Sequence, residues 1–211
     1  MAMDERTPIT DPLSKRWVGV VFTNPVTGER IEVLEVHPDG PQSRLEGRLT
    51  VAPGGIGPPR HVHPSQQESF TVEKGRLTLH RGDETLEVAP GESVTVPAGT
   101  AHGFENRSEQ PVTFTGAIRP AGQLTHVLST LFGLARDGKT RDDGTPHFLQ
   151  AMVLAQAVQD VLYLADPPRA VQKALWTVFG PIGRALGYRA TYDRYLRPDF
   201  WARHLQDDPI R

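Results

Sequence analysis

The chain has 211 residues, 37% of them hydrophobic and 23% charged, with a formal net charge of −2 at neutral pH. That length can bury the core of one good-sized domain or a domain plus an appendage, and the balanced charge argues against a wholesale nucleic-acid binder. Cysteine is absent, which excludes disulfides, thiolate metal sites, iron–sulfur clusters and thiol nucleophiles.

The first residues form no apolar run of the signal-peptide type, and positions 1–15 read as an N-terminal arm. Residues 16–120 then follow strand periods. Apolar and polar residues suggest strands at 16–23, 30–36, 44–51, 68–72, 76–80, 85–88, 93–96 and 112–118. Gly and Pro interrupt them roughly every ten residues, the pattern of an all-β sandwich or barrel. The run Pro53-Gly54-Gly55-Ile56-Gly57-Pro58-Pro59 can belong to neither a helix nor a central strand.

From residue 121 to 211 the period becomes helical. Leu124, Val127, Leu128, Leu131 and Leu134 form one stripe of a helix over 123–136, which stops at Asp137-Gly138. The segment 138–144 reads as a loop. Thr145-Pro146 is an expected cap and first turn for a second helix reaching about Ala165. Asp166-Pro167 repeats that start signal for a third, which Gly180-Pro181 should break or kink, and a short last helix is expected over 200–205. The most apolar stretch, 148–165, carries Gln150, Gln156, Gln159 and Asp160, too polar for a membrane span. A cytoplasmic protein is the expectation.

The candidate chemistry lies in the β half. His61 and His63 are two residues apart, so on an extended strand both imidazoles project from one face. Four residues separate His63 from Glu68, and an antiparallel hairpin there would set the two opposite each other. His102 follows Pro97-Ala98-Gly99, where a strand turns. Three His and one Glu form an N/O donor set suited to one divalent first-row metal ion such as Fe, Mn, Ni, Co or Zn. Gln67, beside Glu68, is a candidate hydrogen-bond partner to a ligand.

These residues sit in two spaced patterns, Gly55-IGPPR-His61-Val62-His63-PSQQ-Glu68-SFTVEK-Gly75 and Gly91-ESVTV-Pro97-Ala98-Gly99-TA-His102-GFE-Asn106. Both segments resemble the two motifs of the cupin superfamily at every fixed position. The resemblance implies a mainly β fold, a jelly-roll β-barrel followed here by an α-helical C-terminal subdomain. It also implies a metal held by His61, His63, Glu68 and His102, and frequent homodimers. The glycines and Pro97 then read as turn-formers, and Asn106 as a residue securing local backbone.

Strand parity places Phe70 and Val72 on the face of Glu68, and Phe104 on that of His102, either as pocket lining or as filled barrel core. Parity also nominates Glu46, Arg48 and Thr95 as polar members of a substrate pocket. A complete ligand set beside an apolar interior suggests a metal-dependent enzyme of dioxygenase or isomerase type acting on a small organic molecule. The alternative is a non-catalytic binding or sensing protein. Residues 167–204 interleave seven basic residues with Trp, Leu, Val and Phe. They suit packing on the barrel or on a second subunit better than contact with an anionic membrane surface.

Overall fold

The computed structural model describes residues 15–38 and 40–205. The N-terminal arm expected over 1–15 lies almost wholly outside the described residues.

Eleven strands form two antiparallel sheets among the described residues. The larger contains β1 (Val21–Asn24), β2 (Glu29–His37), β3 (Arg44–Val51), β5 (Gln67–Lys74), β8 (Ser93–Val96) and β10 (Val112–Arg119), in the order β1-β2-β3-β10-β5-β8. The smaller contains β4 (His61–Val62), β6 (Leu77–Arg81), β7 (Glu84–Val88), β9 (Ala101–Glu105) and β11 (Tyr163–Leu164), in the order β11-β4-β9-β6-β7. Their inner faces close on Phe70, Phe104 and Phe114, whose ring centroids lie 5.2–6.0 Å apart. Around them pack Val51, Val72, Leu77, Leu79, Val88, Val96 and Val112. Alternation along β5 and β10 places these side chains inward because successive residues face opposite sides of a sheet.

Asn106 ties the sheets together. Its Nδ2 donates to the carbonyls of Val51, Ala52 and Gln110, and its Oδ1 accepts from the backbone N–H of Ser108. A buried amide satisfied on both sides fixes the chain at the end of β9.

The helices are α1 (Leu124–Arg136), α2 (Phe148–Val158), α3 (Arg169–Ala185) and α4 (Pro198–His204). They do not stand apart from the barrel. Phe132 from α1 and Phe200 and Trp201 from α4 share one buried cluster with Trp17, Phe22 and Val33. All four residues of β1 are buried, and Phe22 packs edge-on against Phe132 of α1 and Trp201 of α4.

Several boundaries differ from expectation. The strand expected from residue 16 begins only at Val21. Before it, a 3-10 turn over Lys15–Trp17 inserts Trp17 against Phe22, and Gly19 turns the chain at φ +81°, a conformation suited to glycine. The second helix starts at Phe148 rather than Pro146, since Thr145 bonds Asp143 and Pro146 bridges to Thr140. It ends at Val158, and the chain expected to continue it as far as Ala165 instead forms β11 on the edge of β4. There tertiary strand pairing overrides helical periodicity. The third helix starts at Arg169 and runs through Pro181 to Ala185. It lies close against α2, where a Cβ on Gly183 would meet the carbonyl oxygen of Leu149 at 3.0 Å. No described helix is long and apolar enough to cross a membrane.

Candidate metal centre

The donors converge from both sheets. His61 lies on β4 directly opposite His102 on β9, while Glu68 lies on β5 of the larger sheet. The expected His63–Glu68 hairpin does not form. β4 pairs with β9 and β11, β5 pairs with β10 and β8, and the chain between β4 and β5 crosses from one sheet to the other. The closeness inferred from local pairing comes instead from the barrel's closure.

His61, His63, Glu68 and His102 present ligand atoms that all lie within 4.8 Å of one another. The imidazoles are buried, with ring centroids 4.4–5.4 Å apart. Glu68 Oε2 stands 3.0 Å from His102 Nε2 and 3.6 Å from His63 Nε2.

The imidazole orientations test whether a metal ion fits. His61 Nδ1 donates to the Pro59 carbonyl at 3.0 Å, His63 Nδ1 to Val161 at 2.7 Å, and His102 Nδ1 to Thr100 at 3.0 Å. A carbonyl only accepts, so each Nδ1 carries a proton, and a ring that is neutral directs its Nε2 lone pair elsewhere. The Nε2 atoms of His63 and His102 face Glu68. Two lone pairs facing each other at 3.0 Å require a proton or a cation between them. The donor set therefore fits a metal ion, and the carbonyls supply the outer hydrogen bonds that fix metal-binding histidines.

A proton on Nε2 of His102 or His63 can fill that place instead of a cation, and the shifts within the cluster reflect it. Burial, reinforced by the charges of His102 and His63, pulls His61 down to about 3 and keeps it neutral. Burial works to raise Glu68, but hydrogen bonds from His102 and His63 outweigh it and hold the carboxyl well below the usual range. His102 is drawn down by burial and, more strongly, up by the hydrogen bond and charge of Glu68, so its pKa is raised.

The cluster opens on a cavity of about 320 Å³ lined by both halves of the chain. Ile31, Val33, Leu45, Leu49, Phe70, Phe104 and Ile118 line it from the barrel. Leu124, Val127, Leu128 and Leu131 of α1, Met152, Leu154 and Val158 of α2, and Leu175 and Trp176 of α3 line it from the helices. Gly57 allows Phe104 its position, since a Cβ there would meet the ring at 2.5 Å.

The parity assignments divide. Phe70 and Phe104 line the cavity, whereas Val72 packs in the barrel core. Arg48 and Thr95 lie outside it. Arg48 pairs with Glu73 and Glu32 on the outer face, and Thr95 is exposed on β8. Glu46 likewise bonds Arg44 outside the barrel. The inward residues of β3 are Leu45, Gly47, Leu49 and Val51, the opposite parity. Gln67 is exposed, and its neighbour Gln66 is the buried residue.

Sequence reasoning missed the carbonyl of Val161, because no residue type marks a backbone acceptor. It also missed the helical lining, although the apolar stripe of the first helix was visible, and the buried carboxyl of Glu29 at the cavity wall.

The family model for the cupin domain matches residues 47–117. "Probable oxidoreductase virH" of Hypocrea virens is 32% identical over 158 residues, 68% of this chain and 70% of that protein. "Oxidoreductase OpS7" of Beauveria bassiana is 30% identical over 84 residues, 39% of this chain but only 26% of that protein. The solved structure of KdgF from Halomonas sp. is 18% identical and covers 47% of this chain and 84% of its own, with a TM-score of 0.42. Both motif segments, their convergence across two antiparallel sheets, and a relative matched over most of its length place this chain in the cupin superfamily.

Proposed function

We propose that the protein is an oxidoreductase that holds one divalent first-row metal ion at His61, His63, Glu68 and His102 and acts on a small, largely apolar organic molecule. One observation carries the reading: the buried His/Glu cluster opens directly on an apolar cavity. The oxidoreductase names of the relatives favour redox chemistry over isomerisation. A bound metal would supply Lewis acidity and, for iron or manganese, a redox couple.

The chain's own residues do the rest. The carbonyls of Pro59, Val161 and Thr100 hold the three imidazoles as Nδ1–H tautomers with Nε2 free to coordinate. Glu68 contributes the one anionic donor. Phe70 and Phe104 on the barrel side, and Leu128 and Trp176 on the helical side, exclude water and hold an apolar body beside the cluster.

The test is metal content of protein prepared without an affinity tag, followed by reconstitution with Fe(II) or Mn(II). Dioxygen uptake is then measured with apolar substrates that carry a chelating group. One equivalent of metal and substrate-dependent uptake are expected. Protein that holds no metal and gains nothing on reconstitution would overturn the reading.

A further inference from the structure

The cavity wall is largely apolar; besides the metal-ligand cluster, with Tyr163 and Gln172 on the helical side, its polar residues gather at Asn24, Thr27, Glu29, Asp143 and Thr145, far from the histidines. Glu29 begins β2 opposite Val51 of β3, and Val51 lies opposite Val112 at the start of β10. Glu68 lies opposite Ile118 near the other end of β10. The two carboxyls therefore mark opposite ends of one sheet's inner face, three strands apart.

Glu29 shares the inward face of β2 with Ile31 and Val33, is only 5% exposed and lines the cavity. Oε2 accepts a hydrogen bond from Thr27 Oγ1 at 2.7 Å, the one hydrogen bond to this carboxyl among the described residues. No ion pair among those residues involves it. Asn24 stands beside it on the cavity wall. Its Oδ1 accepts from the backbone N–H groups of Val26 and Thr27, which leaves its Nδ2 as a donor.

A carboxyl without a cation in apolar surroundings is costly to keep charged and wants a hydrogen-bonding partner. Burial pushes Glu29 up to about 7 against the opposing hydrogen bond from Thr27, so near neutrality it is in part a donor. Such a group suits a neutral oxygen better than a second anion.

We propose that Glu29, with Thr27 and Asn24, forms a second binding subsite that holds a neutral oxygen function, a hydroxyl or carbonyl, at the end of an apolar ligand remote from the histidines. The subsite rests on the reading of this cavity as the substrate pocket, and it adds the ligand's form: polar at both ends and apolar between. It selects among apolar molecules by length and by the group at the far end.

Calorimetric binding of dodecanoate and 12-hydroxydodecanoate, and of the sixteen-carbon pair, tests this on the intact protein with zinc as a redox-silent metal. The hydroxy acid of fitting length is expected to bind wild type roughly tenfold tighter than the plain acid, the size of one buried hydrogen bond. Glu29→Gln should keep that preference, and Glu29→Leu should abolish it, so that the plain and hydroxy acids of each length bind alike. Glu29→Met replaces the leucine variant if the latter does not fold.

A preference unchanged in Glu29→Leu or Glu29→Met overturns the subsite, as does no preference in wild type. Stronger binding of 12-aminododecanoate that Glu29→Gln destroys overturns the neutral-oxygen assignment. A metal-free or inactive protein that still prefers the hydroxy acid sinks the oxidoreductase reading and leaves the subsite standing. A metal-loaded, active protein without the preference does the reverse. Binding of no acid at either length overturns both.

Discussion

The barrel and the helical extension contribute to one cavity in different ways. The barrel brings all four candidate ligands, His61, Glu68 and His102 on strands whose pairing fixes their register and His63 just past the end of β4. The extension brings apolar side chains from its helices and one backbone carbonyl from the turn after α2, that of Val161 on His63. Chemistry sits on the sheets because paired strands hold side chains rigidly, while the helices set the cavity's size and shape. The division is incomplete, however. β11 pairs with β4, the strand that carries His61, and Ala165 N–H donates to the Arg60 carbonyl, so the extension also steadies the barrel's ligand strand.

Four experiments would break or sharpen this comparison. Alanine at His61 or His102 removes a donor from the barrel side and should take metal from one equivalent to none by elemental analysis. Full occupancy in both variants would place the site elsewhere.

Glu29→Gln should act through pH. The folded-state pKa of about 7 lies above the ordinary 4.5 of the unfolded chain. Between those values the native state keeps a proton that the unfolded state has lost, so this carboxyl lowers stability as pH rises and its full cost is reached above about pH 7. The glutamine variant should match wild type near pH 4 and exceed it by about 3 kcal/mol at pH 8 to 9 in denaturant titrations. Equal stability at both ends would show that Glu29 ionises as freely as in water.

Gly183→Ala probes the extension. Its Cβ would meet Val153 Cγ2 at 2.6 Å and the Leu149 carbonyl oxygen at 3.0 Å, and a backbone atom cannot yield cheaply. A loss of about 1–3 kcal/mol is expected, the usual cost of overpacking. Metal affinity should fall with it if the helices steady His63 through Val161. An unchanged affinity at reduced stability would confine the extension to shaping the cavity. Arg48→Ala, on the outer face of β3 with a partly exposed pair to Glu73, should cost less than about 1 kcal/mol and leave metal content untouched.

Much of the β half was legible because alternation and glycine punctuation are local signals. The strand at 44–51 appears as β3 with its expected limits, and Glu68, Phe70 and Val72 do share a face. Parity without a fixed phase misled at β3, where Arg48 was expected inward and Leu49 takes that place. A one-residue change of phase turns a whole strand over. Local reasoning also supplied the wrong route to the right neighbours, a hairpin between His63 and Glu68 where the chain crosses between sheets. In the helical half the start signals at 145–146 and 166–167 came two residues early, and the end of α2 went unread because its competitor was the distant edge of β4.

By itself the sequence determined the donor set. Residue types and spacing name His61, His63, Glu68 and His102, and a cysteine-free chain leaves oxygen and nitrogen as its only strong ligands. It also determined the change from strand to helix near residue 121, because hydrophobic periods of two and 3.6 are properties of the chain alone. Tertiary structure decided which side chains face the cavity, which carbonyl orients each imidazole, and that the helices roof the barrel. Those outcomes depend on pairings between residues as far apart as His63 and Val161, a separation no local pattern spans. Burial, likewise set by the whole fold, made Glu29 a carboxyl without a cation in an apolar wall.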